Sequence, residues 1–223
     1  MSKFWGIILA GGAGTRFGDT PKQTIDLGGK PVLYHSVETA LKTLDGVIVV
    51  LSETIYGEYK SDLSELGVDE IVVGGATRCE STRNGLSVLP DEAEVCLIHD
   101  AARPFASVQL FERVKQCSLT YDGVIPVIPI SDTVKLIENS LVVKSVDRDT
   151  LFFAQTPQAF KASLLKQVHA LMPEGTDDAT LFENAGYKVY AVEGEELNGK
   201  ITKKDDLELA RAILSMKRED MCQ

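Results

Sequence analysis

Residues 9–23 read L-A-G-G-A-G-T-R-F-G-D-T-P-K-Q. Glycine and alanine let backbone amides come close to a ligand, and Arg16 and Lys22 bring positive charge to the same loop. Together they describe a place for an anion. Two common phosphate loops are excluded. A dinucleotide fingerprint starting at Gly12 would need glycine where Phe17 stands. A P-loop ending in Gly29-Lys30 would need Ser or Thr in place of Pro31 and an earlier glycine in place of Thr24. What remains is either a glycine-rich turn forming an anion nest or a surface loop with solvated charges.

Two more loops have related content. GGATRCES (74–81) puts glycines before an arginine and a helix, and HDAARPF (99–105) sets Asp100 where a strand ends. A lone carboxylate there can ligate a divalent ion that otherwise keeps water and phosphate oxygens. It can equally cap the next helix, and Arg103 can be an ordinary ion-pair partner. His99 reads as a strand-end residue rather than a catalyst. Each loop alone is ambiguous. Three on one sheet would form a cleft holding a metal, cations and exposed amides. That equipment suits transfer of a phosphoryl or nucleotidyl group, where positioning and charge neutralisation do most of the catalysis.

The elements that must position these loops alternate along the chain. Strands are expected at 5–10, 46–51, 69–74, 94–100 and 123–130, with helices at 31–44, about 54–66, 80–89 and 108–119. Short apolar runs separated by amphipathic helices predict βαβ units. The expected fold is α/β, a Rossmann-like, doubly wound, mostly parallel sheet flanked by helices. Ligands of such sheets sit at the carboxyl ends of the strands, which directs attention to the loops after 10, 51, 74, 100 and 130. The two prolines in GVIPVIPI predict an edge or a strand end. At 131–146 the alternation breaks into two strands about Glu-Asn-Ser, an inserted β-arm. Helices follow at 161–171, 176–185 and 204–217, and a strand at 187–192. Without repeats or linkers, 1–223 reads as one domain.

Bulk properties narrow the setting. The 223 residues are 44% hydrophobic and carry a formal net charge of −10, which argues against nucleic acid as a partner. An anionic ligand must therefore be small and met by local cations. The four cysteines have no C-x-x-C spacing and, with three histidines, make no zinc pattern. Phe4–Ala10 is too short to span a membrane and lacks the basic flank of an export signal. A cytoplasmic protein without a membrane partner is expected.

The glycine loop with P-K-Q resembles the nucleotide-binding signature of nucleotidyltransferases that activate sugars and polyols. Taken with G-G-A-T-R-C-E-S, H-D-A-A-R-P-F, V-D-R-D-T-L, Q-T-P-Q-A-F, T-D-D-A and K-I-T, the chain is similar to the 2-C-methyl-D-erythritol 4-phosphate cytidylyltransferases of the non-mevalonate isoprenoid pathway, from about residue 4 to 212. The resemblance implies CTP as co-substrate, Mg²⁺ as cofactor and a polyol phosphate as acceptor. Ala10, Gly11, Gly12 and Gly14 match the turn that meets cytosine and ribose, while Gly75, Arg78 and Ser81 match positions around the base. Arg16, Lys22 and Lys200 match the catalytic cations on the phosphates. Asp100 matches the metal ligand on the CTP side. Arg103, Thr133, Arg148, Thr156 and Thr176 match the acceptor site, with the arm crossing to a partner in a homodimer.

There are departures. Ala76 stands where many members carry an acidic residue, and Leu197-Asn198-Gly199-Lys200 replaces a D-N-x-K pattern, leaving Glu195 and Glu196 as nearby acids. The reaction implied is in-line attack of the acceptor phosphate on the α-phosphorus of CTP. A phosphate monoester, with a second pKa of about 6, needs no general base. Two other readings are a D-ribitol-5-phosphate cytidylyltransferase and a non-catalytic nucleotide-binding protein on the same fold. H-D-A-A-R-P and T-D-D-A favour methylerythritol phosphate over ribitol phosphate. Retention of Arg16, Lys22, Asp100 and Lys200 argues against loss of catalysis.

Overall fold

The computed structural model describes residues 3–11, 21–171 and 174–220. Its strands are β1 (Phe4–Ala10), β2 (Gly46–Leu51), β3 (Glu70–Val73), β4 (Val95–Asp100), β5 (Gly123–Pro129), β6 (Val134–Glu138), β7 (Leu141–Val146), β8 (Phe152–Ala154), β9 (Gln158–Lys161) and β10 (Val189–Glu193). The helices are α1 (Val32–Thr43), α2 (Glu53–Glu65), α3 (Arg78–Ser87), α4 (Val108–Ser118), α5 (Ala162–Leu171), α6 (Asp178–Asn184) and α7 (Lys204–Asp220).

Eight strands form one sheet in the order β10-β5-β9-β4-β1-β2-β3, with β8 also pairing β5. β1 runs parallel to β2 and β4, β2 to β3, and β5 to β10. From β1 the chain moves outward to β2 and β3, then returns to place β4 on the other side. This reversal opens a crevice at the carboxyl ends of β1 and β4, where ligands of such sheets bind. Ala10 and Asp100 are the last residues of those strands.

Both faces of the sheet are covered, which is why β2 reads as an unbroken apolar run. Ile8, Val47 and Leu97 pack with Leu33 of α1, Leu63 of α2 and Phe111 of α4. Ile7, Ile48 and Ile98 pack on the opposite side with Leu86 of α3, Leu165 of α5 and Phe182 of α6. A smaller cluster seats α7 through Leu207 and Ala210 on Leu27, Phe105 and Ile201. Helix α3 packs against the sheet at Gly85, where a Cβ would stand 2.7 Å from Ile7 Cγ2.

Three details differ from the sequence expectation. Helix α3 starts at Arg78, because Thr77 accepts from the Glu80 N–H while Glu80 accepts from the Thr77 N–H in a capping box. Strand β5 is interior rather than an edge, and of its two prolines only Pro129 stands at the strand end. Its Pro126 carbonyl accepts from Gln155 N–H at 2.8 Å, so its ring nitrogen faces the break where β9 gives way to β8 and no ladder bond is lost. Strands β8 and β9 were not foreseen. Strand β9 is antiparallel to both β4 and β5 and fills the gap between them.

The arm forms as expected. β6 and β7 pair with each other in a separate two-stranded sheet. Asn139 (φ 48°) and Ser140 (φ 66°) close it in the left-handed turn that suits the twist of hairpins. Leu141, Val142 and Val143 on the arm, and Phe152 and Phe153 on β8, are each more than half exposed.

Candidate active site

Segments distant in sequence converge on the crevice. At the end of β1, the Ala10 carbonyl accepts from the buried Gln23 Nε2 at 2.8 Å, which anchors the short turn carrying Lys22. Gly11 then passes beneath α3, where a Cβ would stand 3.0 Å from Ser81 Oγ. Ser81 is a bracket for its own loop: its hydroxyl donates to the Thr77 carbonyl (2.9 Å) and accepts from Gly75 N–H (3.2 Å). Glu80 takes the Ala76 N–H at 2.6 Å and the Thr77 N–H at 3.3 Å. The amides of 75–77, expected to be open to a base, are thus satisfied within the loop.

Asp100 is the electrostatic centre. Its Oδ2 accepts from Lys200 Nζ at 2.7 Å and lies 3.9 Å from Arg103 Nε, and Oδ1 stands 3.7 Å from Arg78 Nε. Burial favours the neutral acid, but Lys200, then Arg78 and Arg103, overcome it and hold the carboxyl well below the usual carboxylate range. Arg78 is partly buried, with its side chain 24% exposed, and Asp178 and Asp100 keep its guanidinium charged. Lys22 Nζ donates to the Ile201 carbonyl at 2.9 Å.

A polar knot holds the segment bearing Lys200. Asn198 Nδ2 donates to Gln155 Oε1 (3.2 Å) and to the Thr156 carbonyl (2.9 Å), and Gln155 Nε2 donates to the Glu195 carbonyl (2.8 Å). The Glu195 carboxylate accepts from Ser107 N–H at 3.2 Å, so it supports the start of α4 instead of serving the cavity. Glu196 is exposed.

Of the residues expected from the sequence, Ala10, Gly11, Lys22, Gly75, Arg78, Ser81, Asp100 and Lys200 line one cavity of about 320 Å³, within the range of small-molecule sites. Gly12, Gly14 and Arg16 lie outside the described residues. The five acceptor-site expectations are not in that lining. Arg103 Nη1 donates to the Asn198 carbonyl at 2.8 Å, tying the loop after β4 to the Lys200 segment. Thr156 is buried beneath Asp100. Thr176 Oγ1 is 3.0 Å from Thr180 Oγ1 at the start of α6. Thr133 and Arg148 flank the arm, where Arg148 Nη1 donates to the Ser131 carbonyl.

His99 is excluded as a base by its bonding. The Arg103 carbonyl can only accept, so His99 Nε2, 3.3 Å away, carries the proton. Nδ1 must then accept from Thr156 Oγ1 at 2.9 Å, while Thr156 Oγ1 accepts from Asp100 N–H at 3.1 Å. Burial pushes the imidazole down to about 4. A residue pair that the sequence reading passed over lies behind Arg78: Asp178, from T-D-D-A, is 2.8 Å from Arg78 Nη2 and 2.9 Å from His169 Nε2.

Among the described residues, no group of three or more His, Cys, Asp or Glu could hold a metal ion. The donor set nevertheless fits a hard cation that arrives with phosphate oxygens, because such an ion needs only one or two protein carboxylates. Asp100 lines the cavity, and its Oδ1 is beyond hydrogen-bond length of Arg78. Two lysines, a buried carboxylate and an arginine around one cavity can bind a polyanion and offset charge growing on phosphorus.

Comparison with known proteins agrees with this chemistry. The family profile described as 2-C-methyl-D-erythritol 4-phosphate cytidylyltransferase matches residues 5–216. Enzymes of that name from Rubrobacter xylanophilus and Dictyoglomus thermophilum are 40% and 36% identical. The alignments cover 96% of this chain in both cases, with 96% and 98% of the respective relatives. The crystal structure of 4-diphosphocytidyl-2C-methyl-D-erythritol synthase from Anaerococcus prevotii superposes with a TM-score of 0.86 at 31% identity, covering 96% of each chain.

Proposed function

The chain belongs to the 2-C-methyl-D-erythritol 4-phosphate cytidylyltransferase family, and from that membership we infer how its own residues do the work. The protein transfers the cytidylyl group of CTP to the phosphate of 2-C-methyl-D-erythritol 4-phosphate, giving CDP-methylerythritol and pyrophosphate. The observation that carries the assignment of roles is the convergence of Lys22, Arg78, Asp100 and Lys200 on one cavity at the switch point of the sheet.

CTP enters with its base toward the 75–81 loop and its phosphates toward the lysines. Since the loop amides are internally bonded, base contacts fall to the Ala10–Gly11 backbone and to carbonyls of the loop. A phosphate oxygen of the acceptor attacks the α-phosphorus, the bond to the β-phosphate oxygen breaks, and pyrophosphate leaves. The acceptor phosphate is already a nucleophile near neutral pH, in keeping with a cavity that no histidine lines among the described residues. Lys22, Arg16 and Lys200 offset the charge on the five-coordinate phosphorus. Mg²⁺ held by Asp100 would supply further charge neutralisation to the phosphates.

The acceptor site is completed by a second subunit. One chain leaves Thr133 and Arg148 outside its own cavity and exposes Leu141, Val142, Val143, Phe152 and Phe153. A two-stranded hairpin is marginal alone, and twofold packing of arm against partner both covers this surface and delivers Arg148 to the neighbouring site. Arg103, Thr156 and Thr176 then shape the acceptor side from within. The single eight-stranded sheet supports reading the chain as one nucleotidyltransferase domain. Among the described residues, no helix is long and apolar enough to cross a membrane.

Pyrophosphate release tests this reading. CTP with methylerythritol phosphate should be turned over far faster than CTP with ribitol 5-phosphate, or UTP with either acceptor. Equal use of ribitol phosphate would move the enzyme to the teichoic acid branch, and equal use of UTP would overturn the base assignment.

A further inference from the structure

Arg78 reaches the cavity from the first turn of α3, and nothing in its own loop fixes its guanidinium. The fixing comes from behind. Asp178 stands at the first position of α6, fully buried, and divides its two oxygens: Oδ2 lies 2.8 Å from Arg78 Nη2, and Oδ1 lies 2.9 Å from His169 Nε2. Ionised Asp178 can only accept, so His169 Nε2 is the donor in this contact. Nδ1 is buried and meets no partner among the described residues. His169 is therefore a fixed donor, packed on α5 with its side chain 1% exposed.

The arrangement has a mechanical meaning. Arg78 stands between two carboxylates, with Asp178 at close range and Asp100 at 3.7 Å. If Asp178 could rotate, the guanidinium would be free to close on Asp100, and the cavity would lose a cation directed at the ligand. The His169 donor occupies the second oxygen of Asp178 and so sets its rotation. Arg78 Nη1 is left buried without a partner among the described residues, in a side chain that lines the cavity.

We propose that His169 is a positioning residue for nucleotide binding, acting through Asp178 to hold Arg78 at the CTP cavity. The proposal rests on the reading of that cavity as the nucleotide site, and the test separates the two. His169→Leu removes the donor at similar volume, while His169→Gln keeps an N–H at nearly the reach of Nε2. KM for CTP and kcat are measured for both, for Arg78→Met, and for the Arg78→Met/His169→Leu pair, with melting temperatures alongside.

Arg78→Met should raise KM for CTP, and His169→Leu should raise it about tenfold with kcat little changed, the scale of one net hydrogen bond. His169→Gln should restore most of the loss. In the Arg78→Met background, His169→Leu should add nothing to KM, because the group it acts through is gone. If Arg78→Met itself leaves KM unchanged, the nucleotide reading of the cavity falls. If Arg78→Met raises KM but folded His169→Leu does not, or if the two effects multiply, only the positioning role falls. Should His169→Leu fail to fold, Asp178→Asn reads the same link. Retention of wild-type KM there, or of Arg78→Met-like KM with no rescue by His169→Gln in its own background, would equally overturn the proposal.

Discussion

Acidification should weaken this protein through one identifiable side chain. His99 is completely buried at the end of β4 and held neutral by its bonds to Thr156 and to the Arg103 carbonyl. Burial brings its pKa from 6.5 down to about 4, with Arg103 adding to the fall and Asp100 opposing it. The unfolded chain takes up this proton first, so acid favours unfolding. The stability tied to neutral His99 is complete above pH 6.5 and drains away as pH falls toward 4. At 1.36 kcal/mol per pH unit the full effect is about 3 kcal/mol, of which about 2 kcal/mol is expressed by pH 5. The assay is denaturant unfolding at several values from pH 7.5 to 5, on wild type and His99→Asn. The variant will be less stable throughout, but its curve should be flatter by about 2 kcal/mol over that range. Parallel curves would refute the reasoning, because the wild-type slope would then belong to other groups.

Three more expectations follow from the site. Lys22→Ala should lower kcat by roughly 10²–10³-fold, the scale of one electrostatic donor at the transition state, and a change confined to KM for CTP would make Lys22 a binding residue. Asp100→Asn should fold and yet turn over poorly even at saturating Mg²⁺; near-normal rates would remove Asp100 from the metal role. Mixing Lys22→Ala with Arg148→Ala after dissociation should return about a quarter of wild-type activity, since half of the random dimers carry one intact composite site. No recovery despite verified subunit exchange would place Arg148 in its own subunit.

Local chemistry was legible in the sequence where residue type alone decides the outcome. β-Branched runs such as GVIVVL could only be buried parallel strands, and Asn139-Ser140 between alternating residues could only be a tight turn. Lys22, Arg78 and Asp100 stood out together because three loops of one expected sheet carried them, while Lys200 came from the family resemblance. Long-range pairing was not legible. Strand β9 is four residues long, and nothing within Q-A-F-K says that it will insert antiparallel between β4 and β5. The prolines of β5 pointed to an edge or a strand end, and Pro129 does end the strand, but only the handover from β9 to β8 shows why Pro126 is tolerated inside it. Likewise, nothing in the residue type of Ser81 shows that its hydroxyl brackets Gly75 and Thr77 as well as lining the cavity. Asp178 carried a signal in T-D-D-A, but its meaning depends on Arg78, 100 positions away, and His169 carried none.

Both cavity lysines rest on acceptors of the protein's own, Lys22 on the Ile201 carbonyl and Lys200 on Asp100. A naked cluster of ammonium groups would attract every small oxyanion in solution, inorganic phosphate included. Here an incoming anion must out-compete a carbonyl and a carboxylate already in place, and a simple ion has little with which to do so. A nucleoside triphosphate brings a base and a ribose, whose contacts elsewhere in the cavity can meet the cost of that exchange. The same competition works in the other direction once the α–β bond has broken. Pyrophosphate, cut loose from the base, holds its place only by charge, and Asp100 and Ile201 stand ready to take their lysines back. Self-pairing thus makes the site selective at entry and quick to clear at exit.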